Sequence, residues 1–385
     1  MSSFVAMRMA GFKQSEIRYM TRECQAQGGI NLGQGLCDLP THPLVEEGAI
    51  AAIQQRRNTY SPADGLPELR RAIAKKLSRD NLIDAHPDRN IVVTLGTSGG
   101  YMAALNALLD PGDGILLFEP YYGYHRNAAI IAGLEPQFAR LEPPEFRLTR
   151  ALLDGAVQEN TAAMVLCTPA NPTGRILSEE ELEVVAEFAQ ERDLLVITDE
   201  IYEYIRFDGE IHISPASIMG LTDRTVSLMG FSKTFSITGW RLGYAVAPDE
   251  MAKAIALVND SYCVCAPTPL QLGVAKGLEA PPDYFTELGV MYQRKRDILC
   301  TALKEGGMPP LIPQGAYYVL ADIGNLGFRS AKDAAMSLLG EVGVAAIPGS
   351  AFFRDDSGER YLRFCFAQED RIIEEAAERI KSFRR

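Results

Sequence analysis

The chain has 385 residues, 47% hydrophobic and 23% charged, with 33 Gly, 22 Pro and a formal net charge of −12. That is globular composition, so disordered, collagen-like and coiled-coil classes are excluded, and the acidic balance argues against nucleic acid or an anionic membrane as the main partner. The length exceeds what one hydrophobic core usually supports, which points to two domains or one large α/β unit.

The opening MSSFVAMRMAGFKQSEIRYM holds no apolar stretch long enough for a secretory signal, and the longest apolar runs, such as 128–134, fall far short of a membrane span. Short apolar runs at 91–95 (IVVTL), 115–119 (ILLFE), 163–167 (AMVLC), 194–199 (LLVITD) and 225–229 (TVSLM) read as strands covered on both faces. Helical patterns lie between them. One opens at Ser178, where Glu181 completes a capping-box signature, and Pro111-Gly112-Asp113 ends another. Such alternation predicts an α/β fold with a mostly parallel sheet. From about Pro281 the order changes to helix, strand-like 316–323, helix, two strand-like segments and a closing helix, which predicts a smaller α+β domain. The expected division is 1–45 belonging with the small domain, 46–280 as the large domain and 281–385 as the small C-terminal domain.

Seven scattered cysteines with no C-x-x-C indicate a reduced, cytoplasmic protein, and four histidines with no H-E-x-x-H make a metal enzyme improbable; no metal is expected.

In open α/β sheets, ligands bind beyond the carboxyl ends of the strands, so the residues just after each run carry the chemistry. IVVTL leads into Gly96-Thr97-Ser98-Gly99-Gly100 and then a helical pattern, which reads as a tight turn or as a phosphate site at a helix start. AMVLC leads into an Asn171-Pro172-Thr173-Gly174 turn, which is structural unless the Asn171 amide faces the crevice. LLVIT leads into Asp199-Glu200-Ile201-Tyr202; Asp199 is either a helix N-cap or a buried carboxylate that needs a cationic partner. TVSLM leads into GFSKTFSITGWRLG at 230–243. Lys233, after a buried strand and among small residues, is either a solvated lysine or an amine desolvated for Schiff-base chemistry.

With these blocks in order, the sequence resembles the class I/II pyridoxal-phosphate-dependent aminotransferases of fold-type I, aspartate aminotransferase-like, from INLGQG at 30–35 to RYLRFCFA at 360–367. The resemblance implies that 46–280 binds pyridoxal 5′-phosphate. It implies that Lys233 forms the internal aldimine and shuttles the substrate proton, that Asp199 pairs with the pyridinium nitrogen, and that Tyr202 and Asn171 meet the phenolate oxygen. Arg241 with Gly96, Thr97 and Ser98 would hold the phosphate, Tyr122 would stack on the ring, and Gly35, Asn171 and Arg363 would meet the substrate, Arg363 taking its α-carboxylate. Tyr60 matches a tyrosine that reaches the neighbouring subunit's phosphate, so the resemblance implies a homodimer with shared sites. One position departs: many relatives carry serine three residues before the lysine, and here that residue is Gly230, leaving Ser232 or Ser98 to compensate.

The implied reaction is ping-pong transfer of an amino group between an L-amino acid and a 2-oxo acid. No arginine occurs in 258–271, where one aspartate-specific branch carries its distal-carboxylate arginine. Aromatic, methionine or glutamine-like donors and 2-oxoglutarate as acceptor stay open. Two alternatives share much of the pattern: a carbon–sulfur β-lyase or related lyase on the same fold, and a non-catalytic cofactor-binding regulatory module.

Overall fold

The computed structural model describes residues 4–12 and 15–383. Residues 1–3, 13–14 and 384–385, which the expected domain bounds take in, lie outside the described residues.

After a short 3₁₀ turn at Met7–Gly11 come α1 (Glu16–Gln27), β1 (Ile30–Asn31), α2 (Pro43–Gln54) and α3 (Pro67–Lys76). The alternating part then runs β2 (Ile91–Leu95), α4 (Gly96–Leu108), β3 (Gly114–Glu119), α5 (Gly123–Ile131), β4 (Glu135–Arg140), α6 (Arg150–Ala156), β5 (Thr161–Cys167), α7 (Glu179–Glu191), β6 (Leu195–Asp199), β7 (Thr225–Gly230) and β8 (Leu242–Val246). Helices α8 (Asp249–Cys263), α9 (Thr268–Gly277) and α10 (Pro282–Glu305) lead to β9 (Pro310–Leu311), β10 (Tyr318–Asp322), α11 (Ala331–Val342), β11 (Val344–Ala345), β12 (Ile347–Pro348), β13 (Tyr361–Cys365) and α12 (Asp370–Ser382).

The large sheet has seven strands in the order β2-β8-β7-β6-β5-β3-β4. All neighbours are parallel except β8, which runs antiparallel to both β2 and β7. The expected α/β fold with a mostly parallel sheet is therefore present. Alternate residues of one apolar run serve opposite faces: Ile115 and Leu117 join the core beneath α4 and α8, while Leu116 joins the core beneath α6 and α7. Two-sided burial is why these strands are continuously apolar rather than alternating. The capping box of α7 forms both its bonds, Glu181 N–H to Ser178 Oγ at 3.3 Å and Ser178 N–H to Glu181 Oε2 at 2.9 Å.

The second sheet is antiparallel, β12-β13-β10-β9, and β1 pairs with β11 in parallel, Ile30 beside Val344. The segment after β1 therefore lies against elements near the C-terminus. Among the described residues no helix is long and apolar enough to cross a membrane.

One local expectation changes. GTSGG is not a separate turn before a helix, because α4 begins at Gly96 itself. Gly99 and Gly100 lie inside its first turns, where a Cβ on Gly100 would stand 3.1 Å from Thr94 Oγ1 and 3.2 Å from Leu228 Cδ2. Close packing on the sheet, rather than turn geometry, explains these glycines.

Candidate active site

The carboxyl ends of β2, β5, β6 and β7 lie at one edge of the large sheet, and the antiparallel β8 starts there, so Arg241 joins the same edge from the opposite chain direction. A cavity of about 1000 Å³ opens beyond this edge. It brings together Gly35, Thr97, Ser98, Tyr122, Asn171, Asp199, Tyr202, Lys233, Arg241 and Arg363, residues drawn from segments up to 328 positions apart. Gly96 lies against its wall. Tyr60 is not among the lining residues; it is 82% exposed on the outer surface.

At one side of the cavity α4 begins, and the first N–H groups of a helix have no intrahelical acceptor. Gly96 has φ +68°, and a Cβ there would stand 2.6 Å from Arg241 Nη2, so the guanidinium lies flat against a residue that must be glycine. Arg241 itself holds a left-handed φ of 56° and donates to the Thr238 carbonyl at 2.9 Å. Cation and free N–H groups thus converge where a small anion would sit.

At the floor, Asp199 Oδ2 meets His125 Nε2 at 3.0 Å, and Asp199 Oδ1 takes only a long 3.4 Å contact from Ile201 N–H. The hydrogen-bond partner of this buried carboxylate is His125, on α5. Sequence reasoning missed it, although it is one of only four histidines and follows the Tyr121-Tyr122 pair closely. Tyr122 stacks on Tyr124 at 5.2 Å and sets its edge against His125 at 5.4 Å.

Lys233 stands in the loop after β7. Its Nζ reaches the Gly35 carbonyl at 3.4 Å and lies 5.4 Å from the Tyr317 ring. Burial lowers its pKa, and the nearby Cys37 and Cys365 thiols oppose that shift only in part. Tyr202 packs edge-on to Tyr317 and Tyr318, its hydroxyl 3.4 Å from that of Tyr318. Burial pushes the Tyr202 hydroxyl well above the usual tyrosine range, so it stays protonated and able to donate. Tyr318 fixes Gly35 as well, because a Cβ on Gly35 would fall 1.9 Å from the Tyr318 hydroxyl.

Arg363, on β13, is 1% exposed. It donates to Asn171 Oδ1 at 2.9 Å and to the Gly33 carbonyl at 2.6 Å, and its plane lies between the rings of Tyr318 and Phe352 at 4.2 and 4.8 Å. Its Nε has no partner, and no carboxylate among the described residues pairs with it. A buried guanidinium held by neutral groups alone is a receptor for an anion. Tyr318 and Phe352 shape it; the sequence pointed to the 352–353 phenylalanines only as bearing on the donor's side chain, and nothing in it marked Tyr318.

The match to known proteins is extensive. The family model for aminotransferase class I and II covers residues 27–380. The chain belongs to the class I and II aminotransferases. The aspartate aminotransferase of Pyrococcus abyssi is 37% identical over 91% of this chain and 90% of its own. The aromatic-amino-acid aminotransferase 2 of Thermococcus litoralis is 35% identical, covering 97% and 96%. The solved structure of N-succinyldiaminopimelate aminotransferase from Mycobacterium tuberculosis superposes with a TM-score of 0.95 at 32% identity, over 99% of this chain and all of that one. The chain is thus a fold-type I transaminase, an enzyme that moves an amino group between an amino acid and an oxo acid, and its family is generally pyridoxal-phosphate-dependent.

Within this aminotransferase the Gly230 departure has a steric basis. A Cβ at Gly230 would stand 2.6 Å from Ile201 Cδ1 and 3.2 Å from Thr97 Cγ2, so neighbouring side chains fill the space a serine would need. Ser98 and Ser232 both line the cavity, Ser98 within the first turn of α4.

Proposed function

We propose that this aminotransferase works with pyridoxal 5′-phosphate in the cavity, and that amino donor and 2-oxo acid acceptor use the same site in turn, a ping-pong cycle centred on Lys233. When bound, the cofactor supplies an electron sink for the negative charge that develops at the substrate Cα. The residues fit it. Arg241 with Gly96, Thr97 and Ser98 offers donors for a phosphate, Asp199 braced by His125 offers a fixed carboxylate for a pyridinium, Tyr202 and Asn171 offer donors for a phenolate oxygen, and Tyr122 offers an aromatic face.

Lys233 Nζ is the amine that carries the cofactor and moves the proton at the substrate Cα, and its lowered pKa favours the neutral, basic form. Arg363 binds the α-carboxylate beside Gly35 and Asn171 and orients the Cα–H bond towards that amine. Phe12, Ile131 and Tyr124 line part of the same cavity and support donors with apolar or aromatic side chains.

The observation that carries this reading is the meeting of Lys233, the Asp199–His125 pair, Arg241 and the unpaired Arg363 in one cavity. We also propose a homodimer in which Tyr60 reaches the partner's phosphate site, which its exposure outside its own cavity supports. We further propose the division into a large domain at 46–280 and a small domain made of 1–45 and 281–385, a reading supported by the β1–β11 pairing and the start of α10 at Pro282. Seven unpaired cysteines support a reducing, cytoplasmic setting.

The test is a visible spectrum of the purified protein before and after a panel of amino acids. A cofactor band bleached by an amino acid and restored by an oxo acid is expected. Release of pyruvate and ammonia without an acceptor would move the chain to the lyases, and absence of any band after adding pyridoxal phosphate would overturn the reading.

A further inference from the structure

The turn that follows β6 has two sides. Its backbone closes with Glu203 N–H on the Glu200 carbonyl at 3.0 Å and Ile205 N–H on the Tyr202 carbonyl at 2.7 Å, so residues three apart share a side. Asp199 and Tyr202 line the cavity. Glu200 and Glu203, each one position further on, are buried and do not line it. The proposed function leaves both of these carboxylates unused.

A buried carboxylate is costly unless it is answered, and both are answered from distant parts of the chain. Glu203 Oε2 accepts from Lys76 Nζ and, at 2.9 Å, from Asn81 Nδ2. Lys76 ends α3, is only 3% exposed, and also donates to Asn81 Oδ1 at 2.8 Å. Asn81 closes a single π-helical turn, Leu77–Asn81, and its amide reaches Ser214 Oγ at 3.2 Å. Ser214 donates in turn to Glu200, which also meets His212 Nε2 at 2.8 Å and accepts from Thr198 Oγ1. Burial by itself raises the Glu200 pKa, but the His212, Ser214 and Thr198 bonds more than reverse it and keep the carboxylate ionised. Tyr204 extends the grip: its hydroxyl donates to Asp80, and its ring lies 5.3 Å from Lys76 Nζ.

The cavity side of the turn is held loosely by comparison, for the Tyr202 hydroxyl has only its 3.4 Å contact with Tyr318. A buried ion pair is a weak stabilising device, since apolar residues of similar volume commonly serve as well. Moving one buried charge off the other is costly, however, so the pair fixes the backbone that carries it. We infer that Glu203 and Lys76 are positioning residues for Tyr202: by pinning the next residue to α3 from below, they set where the Tyr202 hydroxyl stands in the cavity. This rests on the cavity being the cofactor site of the proposed function.

The experiment uses the holoenzyme and reads the pH midpoint of the bound cofactor's visible band, because a hydroxyl donating to the phenolate oxygen weakens that oxygen's hold on the neighbouring proton. Lys76→Met alone strands the Glu203 charge and would confuse position with unfolding, so the main variant is Lys76→Met/Glu203→Gln, in which a neutral amide still pairs with Asn81. Its melting midpoint should stay within about 3 °C of the parent. Its band midpoint should rise by about half to one pH unit, the worth of one hydrogen bond. With one active donor and acceptor, kcat should fall about three- to tenfold. KM should change less than about twofold, since Arg363 is untouched. Glu203→Gln alone, which leaves Lys76 two amide oxygens, should shift the band the same way by less. Tyr202→Phe should shift it at least as far as the double variant, and adding Lys76→Met/Glu203→Gln to Tyr202→Phe should shift it no further, because the pair acts through that hydroxyl. A double variant with the parent's band midpoint and kcat, or a triple variant whose shift is the sum of the two, overturns the inference and leaves the proposed function standing. A parent protein that develops no band with pyridoxal phosphate overturns both.

Discussion

Substituting Gly230 by serine puts the steric account of the phosphate side of the cavity to the test. Gly230 closes β7 opposite Gly243 of β8, and a Cβ there would stand 2.6 Å from Ile201 Cδ1. Favourable carbon–carbon contacts lie at about 3.5–4.0 Å, so the overlap is roughly 1 Å. Ile201 is 8% exposed and part of the main core, so it cannot swing clear without disturbing neighbours. Overpacking of this kind costs about 1–3 kcal/mol. With an unfolding entropy of about 2.1 cal/mol/K per residue, a chain of this length should lose roughly 1–4 °C in melting midpoint. Ile201→Val deletes the clashing Cδ1 and by itself costs about 0.5–1.5 kcal/mol. The double variant should be more stable than the sum of the two losses predicts, with a coupling of about 1 kcal/mol. Calorimetric melts of the four proteins at saturating cofactor give the cycle. A Gly230→Ser protein as stable as the parent, or a double variant that is simply additive, would refute the reasoning.

Lys233→Ala should abolish turnover and leave the circular dichroism spectrum intact, because the side chain's only bond is the 3.4 Å contact to Gly35. Burial lowers the Lys233 pKa, so between the lowered value and the ordinary one the unfolded chain binds more protons than the folded chain. Stability of the cofactor-free protein should therefore rise with pH through that window, and Lys233→Met should flatten the rise in a melt series from about pH 7 to 10. Arg363→Ala should raise KM for both amino and oxo acids by about ten- to a hundredfold with a smaller change in kcat, since it removes binding shared by ground and transition states; an unchanged KM would mean the carboxylate binds elsewhere. His125→Phe removes the 3.0 Å partner of Asp199 and should speed loss of cofactor on dialysis, followed by absorbance, whereas equal retention would show that His125 does not brace the carboxylate.

The five expected strands were legible because a strand buried on both faces must be apolar throughout, and TVSLM at β7 is buried at every position. The same rule hides β4, an edge strand whose EPQFAR alternates burial and exposure, whereas β8 is buried throughout and went unread only because it is a short run directly after the lysine loop. Gly99 and Gly100 looked like part of a turn because local propensity cannot distinguish a flexible glycine from one chosen for close approach.

For the site, the chain by itself determined which chemical groups follow each strand: a lysine after β7, a carboxylate after β6, an asparagine after β5 and an arginine before β8. These are local facts, written by short motifs. What only the tertiary structure decided is who answers them. His125 meets Asp199 across 74 residues, Asn171 meets Arg363 across 192, and Gly33 meets Arg363 across 330. Such pairings depend on strand order and on contacts between the two sheets' elements, such as that of Arg363 on β13 with Asn171 after β5. Backbone propensity and hydrophobic period act over a few residues, so they set the elements and leave the long-range partners to packing.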